Sequence, residues 1–259
     1  MMITAWKTSF GFGLLGIYYM KIQEMTVQTK TFGALPVAIP MALKLRSLPV
    51  PTAYRPYFVW AQIVIAFLCL EFALWEPRLE SRNRWIGMAT IAILVLAIID
   101  RASLERLGLR LPKTFGASVV LGISFATVVC LVGLVHWAGG QVPANPTWPR
   151  LHLMWQYFVW ALIQEFMLQS FFFTRCEELF GSSAAVWVTA TLFASAHLPS
   201  PILTTFTLAG GLFFCEMFRR YRSIYPIGIV HAVLGLTIAV TVPDSLLHHM
   251  RVGIGYLRY

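Results

Sequence analysis

Residues 155–178 read WQYFVWALIQEFMLQSFFFTRCEE, a stretch whose apolar run predicts one long helix. Three polar side chains, Gln164, Glu165 and Gln169, sit near its middle. A carboxylate at that depth in a bilayer costs about 2.5–3.5 kcal/mol on insertion scales, so it is retained where something offsets it. On a helix Glu165 and Gln169 are i,i+4 neighbours on one face, with Gln164 beside them. Two later apolar segments each carry one histidine, His197 in TLFASAHLP and His231 in IGIVHAVLG.

The rest of the chain places this stretch in a membrane protein. Of the 259 residues, 58% are hydrophobic and 12% charged, with a mean hydropathy of +0.70. Soluble domains carry about twice that charge. Apolar runs predict an all-α, polytopic membrane protein with roughly seven to eight transmembrane helices. The runs are Tyr57–Trp75, Trp85–Ile99, Phe115–Trp137, the stretch quoted above, Ser183–Leu198, Ile202–Phe218 and Ile224–Val242. Segment 1–51 is least readable: Phe10–Met20 is apolar but short, and Met41 opens a basic MALKLRSLPVP that reads as a working start. A membrane domain is expected over 52–259. Arg101–Lys113 reads as a basic surface helix or turn closing at Pro112, Ala138–Pro149 as a loop, and the sequence from Pro243 as a polar, basic tail with His248 and His249.

The net charge is +9, but the Lys and Arg residues lie between apolar runs, where they set topology against anionic lipid. Nucleic acid is not an expected partner. Placing the Arg219–Arg222 loop in the cytoplasm and alternating puts fourteen of the twenty basic residues on that side. The other six are Arg78, Arg82, Arg84, Arg150, Arg251 and Arg258. Glu216 is spaced to pair with Arg219 and Arg220. Cys69, Cys130, Cys176 and Cys215 form no C-x-x-C pair and read as buried free thiols.

One carboxylate and two histidines on three helices suggest a shared site. A carboxylate and an imidazole can activate water, one taking its proton while the other orients it or protonates the leaving amine. A second imidazole can stabilise an oxyanion. Phe193 precedes His197 by one helical turn, and Gly228 and Gly235 flank His231 on its face, admitting a close neighbour. There is no G-x-S-x-G elbow, no H-E-x-x-H and no other metal-ligand spacing, so neither a serine nucleophile nor a required metal or other cofactor is expected.

At these three motifs the chain resembles the CPBP family, the CAAX protease and bacteriocin-processing family of intramembrane glutamic endopeptidases. The family pattern is Glu-Glu-x-x-x-Arg on one helix, Phe-x-x-x-His ending the next, and a later His followed four places on by Asn or Asp. Here these read Gln164-Glu165-Phe166-Met167-Leu168-Gln169, Phe193-Ala194-Ser195-Ala196-His197 and His231-Ala232-Val233-Leu234-Gly235. The resemblance implies a protease-like core at 150–243 and hydrolysis of a membrane-anchored protein or peptide within the lipid bilayer. It further implies water activated by Glu and His without an obligate metal, in a bacterial inner membrane.

Three positions depart from the pattern: Gln164 for the first Glu, Gln169 for the Arg, and Gly235 for the Asn or Asp. Exchanging the acid and the base together leaves the motif's net charge unchanged, where loss of one partner strands a buried charge. The expectation is that Glu165 is the catalytic carboxylate with His197 and His231, supported by Gln164, Gln169 and Phe193. Two other readings stay open: a catalytically inactive scaffold or immunity protein on the same fold, and a bis-histidine haem protein.

Overall fold

The structure is a computed structural model describing residues 52–99, 103–137 and 151–258. The N-terminal segment 1–51, with Phe10–Met20 and Met41, and the 138–149 loop lie outside the described residues. Within them every regular element is helical. The main helices are α1 (Arg55–Trp75), α2 (Leu79–Ile99), α3 (Thr114–Trp137), α4 (Leu151–Glu165), α5 (Thr174–Phe180), α6 (Ser182–Ser195), α7 (Pro201–Tyr221) and α8 (Ile224–Thr241). Two one-turn helices follow in the tail, α9 (Asp244–Leu247) and α10 (Ile254–Leu257).

Local sequence sets the ends of these helices. Pro56 stands in the first turn of α1, where its missing N–H breaks no intrahelical bond. Ser200 caps α7, its hydroxyl accepting from the Leu203 amide ahead of Pro201 in the first turn. Gly181, at φ +80°, ends α5 and lets α6 start at once in a new direction.

The chain is an integral membrane protein in character. Four helices, α1, α3, α7 and α8, are long and apolar enough to cross a bilayer. The outer faces of α1 and α3 present Ile65, Leu68, Phe72, Phe125, Val129 and Leu134. An apolar surface of this kind suits lipid, not water. The expected seven to eight spans are thus supported for four by length and apolarity. Helix α2 carries Glu80, Arg82 and Arg84 in its first turns, and α6 has only 14 residues.

The decisive stretch is not one uniform α-helix. After Glu165 the backbone widens into a π-helix over Phe166–Phe173 before α5 resumes the α form. This is a correction to the single helix expected over 155–178. The i→i+5 pattern changes the face each later residue presents. Met167 through Phe173 are all buried, so the segment is enclosed on every side rather than amphipathic. Ser170 donates to the Leu107 carbonyl at 2.6 Å, tying the π-helix to the 103–113 region. That region is a series of turns, resolving the helix-or-turn expectation, and its Leu107 is buried. It also receives α8: the Ile224 amide donates to Gly108 O at 3.0 Å and the Ser223 hydroxyl to Arg110 O at 3.2 Å.

Close approaches at glycine set the helix packing. A Cβ on Gly211 of α7 would stand 3.2 Å from the Ala190 backbone of α6. On α8, a Cβ on Gly228 would meet Leu162 at 2.4 Å, and one on Gly235 would meet the Tyr157 hydroxyl at 1.9 Å. The room left by these two glycines is therefore filled by α4.

Ion pairs gather at one end of the bundle. Glu178 binds Arg55 at 2.5 Å and Arg106 at 2.8 Å, Glu177 binds Arg222, and Glu216 binds Arg219 at 2.7 Å and Arg220 at 2.5 Å. These basic residues all come from the fourteen grouped on one side by charge counting. Arg175 is buried, donating to Gln62 Oε1 at 2.7 Å with its guanidinium 3.8 Å from the Phe171 ring centroid. At the other end the tail folds back on the bundle: the Gly253 amide donates to Leu198 O at 2.8 Å, and Arg258 donates to Pro77 O. The tail histidines are structural, His249 pairing with Asp244 at 2.7 Å and His248 stacking on Tyr256. All four cysteines are free, but only Cys176 and Cys215 are buried; Cys69 and Cys130 lie on the outer, lipid-type surface, contrary to the expectation for them.

Candidate active site

The last residue of α4 before the π-helix is Glu165, and its carboxylate is fully buried. Such a group requires partners on both oxygens. His231 of α8 supplies one, its Nδ1 lying 2.7 Å from Glu165 Oε1. Gln169 supplies the other, its Nε2 donating to Oε2 at 3.1 Å, so the expected i,i+4 pair forms even though a π-turn runs through it. The same amide nitrogen lies 3.8 Å from Cys215 Sγ, while Gln169 Oε1 is buried and has no hydrogen-bond partner.

The second histidine arrives from α6. His197 follows the last turn of that helix, and its Nδ1 lies 2.7 Å from the Phe193 carbonyl oxygen. A carbonyl only accepts, so Nδ1 carries the proton and Nε2 is the acceptor nitrogen. The Phe193 ring joins the two imidazoles, with its centroid 4.8 Å from His197 and 5.8 Å from His231, edge-on to both. Phe214 of α7 stacks on the other ring, 5.3 Å from His231 at an interplanar angle of 20°. His231 is thereby held by a carboxylate at one nitrogen and two aromatic rings.

These side chains border a cavity of about 620 Å³. Gln164, Phe193, His197 and His231 line it, as do Tyr157, Trp160, Leu168 and Phe172 from the decisive stretch. Its far wall comes from α1 and α2, through Phe67, Leu70 and Ile91, and from the tail, through Met250, Arg251 and Val252. Among the described residues no aspartate or glutamate lines it, and Glu165 stands behind His231. Among the described residues no three His, Cys, Asp or Glu side chains gather as a metal site.

The structure thus brings Glu165, His231, Phe193, His197 and Gln169 into one contact network, with Gln164 on the wall of the same cavity. Sequence reasoning did not find that Tyr157, Arg82 and the tail line this cavity. Gly253, at φ +56°, is the residue at which the tail turns back.

Residues 146–237 match the model of a family described as Type II CAAX prenyl endopeptidase Rce1-like. The match, to a family of the CPBP group, spans about a third of the chain's length. All the site residues from Glu165 to His231 fall inside it. No curated protein and no solved structure matches the chain.

Proposed function

We propose that this protein is an intramembrane endopeptidase that hydrolyses a peptide bond of a membrane-anchored protein, using water activated by histidine. The observation carrying this reading is the Glu165–His231–Phe193–His197 network, whose His231, Phe193 and His197 line a mostly apolar cavity, inside the segment that matches a prenyl endopeptidase family.

The geometry favours a division of labour in which Glu165 acts through His231. With Nδ1 of His231 bound to the carboxylate, Nε2 is its accepting nitrogen. A buried carboxylate at 2.7 Å stabilises the imidazolium that forms when Nε2 takes a proton. Water held between the imidazoles gives one proton to Nε2 while its oxygen bonds to the scissile carbonyl carbon. The tetrahedral intermediate collapses as the C–N bond breaks and the amine takes the proton back, leaving an acid and an amine. His197, whose Nδ1 is fixed on Phe193 O, orients the water through its own Nε2. Gln169 holds the remaining carboxylate oxygen, and Gln164 offers an amide to the bound peptide. An apolar cavity suits the extended or lipid-modified end of an anchored substrate, and the charge distribution suits a bacterial inner membrane crossed by roughly seven to eight helices.

One observation favours a second reading. The cavity wall has the amide of Gln164 where the family pattern has a carboxylate, which suits a catalytically inactive scaffold or immunity protein. Intact-mass proteomics of host membrane proteins decides between them. Wild type is compared with Glu165→Ala and His197→Ala, each checked for insertion. The protease reading expects one set of proteins to lose its processed ends in both variants; unchanged ends in both overturn it.

A further inference from the structure

Gly235 lies one helical turn after His231, on the same face of α8, and borders the same cavity. Position 235 is where the family pattern has Asn or Asp, and a glycine offers no side chain. Yet the place is not empty. The Tyr157 hydroxyl lies 1.9 Å from where a Cβ on Gly235 would be, and the Tyr157 ring carbon that bears it lies 2.9 Å from the same point. Any side chain at 235 would displace that hydroxyl. Tyr157 and Gly235 therefore form a matched pair, in which a phenol from α4 occupies the volume belonging to a polar side chain on α8.

The Tyr157 body is held for this task. It is buried and packs with Ala161, Ala232 and Leu236, small or aliphatic neighbours that leave the ring little freedom. Its position two turns before Gln164 puts both on one face of α4, and both border the cavity. A phenol O–H can donate a hydrogen bond to a negatively charged oxygen.

We infer that Tyr157 is a catalytic hydrogen-bond donor to the carbonyl oxygen of the scissile bond, strengthening as that oxygen becomes an oxyanion. The inference rests on the endopeptidase reading above. In it, His231 delivers the nucleophile, and the Tyr157 hydroxyl, reaching from α4 to position 235 one turn after His231, meets the charge that develops when the nucleophile adds. Loss of one such donor typically lowers kcat by about 100- to 1,000-fold.

The test uses the full chain in detergent and two probes. One is a fluorogenic peptide carrying an S-farnesyl cysteine followed by three apolar residues. The other is its phosphinic analogue, whose tetrahedral anionic group replaces the scissile carbonyl. In Tyr157→Phe, kcat is expected to fall by about 100-fold with KM nearly unchanged. The variant should also lose at least tenfold in affinity for the phosphinate while binding the parent peptide like wild type. Tyr157→Ala combined with Gly235→Asn, which returns a polar group to the same volume from the other helix, should recover most of the phosphinate affinity. Phosphinate binding unchanged in Tyr157→Phe overturns the assignment, whatever the hydrolysis rates. An equal loss for both probes also overturns it, since that is the mark of a packing role. If wild type hydrolyses the peptide and only the tyrosine variants behave as wild type, this inference alone falls. If wild type neither hydrolyses the peptide nor prefers the phosphinate, the endopeptidase reading fails for this substrate class and the inference falls with it.

Discussion

Glu165 Oε1 and His231 Nδ1 lie 2.7 Å apart, joining the last residue of α4 to the middle of α8. The carboxylate is fully buried, so it reaches the cavity only through the imidazole. Removing its charge while keeping its shape is the most direct probe of the pair. Glu165→Gln should lower kcat by about 100- to 10,000-fold, because an amide does not stabilise an imidazolium as a carboxylate does. Turnover of the farnesyl peptide in membranes measures this; full activity in that variant would sink the role given to Glu165.

His197 tests the other imidazole. Its side chain is not fully buried and makes one hydrogen bond, to Phe193 O. His197→Ala should therefore cost only about 1 kcal/mol of stability. Activity should fall by about two orders of magnitude or more. Thermal unfolding beside turnover separates the two effects, and a variant that loses both together would mark His197 as structural.

Gln169 is expected to matter for folding more than for chemistry. Gln169→Leu removes the donor to Glu165 Oε2 and leaves a buried carboxylate oxygen unpaired, at a cost of about 1–3 kcal/mol. The same change removes the unpartnered Gln169 Oε1, which offsets part of that loss. A lower midpoint on heating in detergent, with residual turnover in the surviving fraction, is the expected result.

The tail should be separable from the bundle by one residue. Gly253 has φ +56°, and a Cβ there would stand 2.3 Å from the Leu74 carbonyl oxygen. Gly253→Ala should cost about 1–3 kcal/mol locally. It should also release Met250–Val252 from the cavity wall. Limited proteolysis would detect the freed tail, and an uncleaved tail in this variant would contradict the packing described.

Much of this could be read from the chain itself. Apolar runs long enough to span a bilayer locate α1, α3, α7 and α8, because burial in lipid acts on composition without needing a partner helix. Glu165, His197 and His231 stand out for the same reason: a polar group inside such a run carries a cost that only a partner removes. Helical spacing alone placed Gln169 on Glu165, Phe193 on His197, and Glu216 on its two arginines. Other features needed the fold. One is the exchange of α for π geometry after Glu165, which helps decide which face each later residue presents. Whether Glu165 faces the cavity or stands behind His231 depends on the rotation of α4 against α8, set where Leu162 and Tyr157 fill the room left by Gly228 and Gly235. That packing also brought the Tyr157 hydroxyl to position 235 and folded the tail onto Leu198, contacts between residues far apart in sequence that no local pattern encodes.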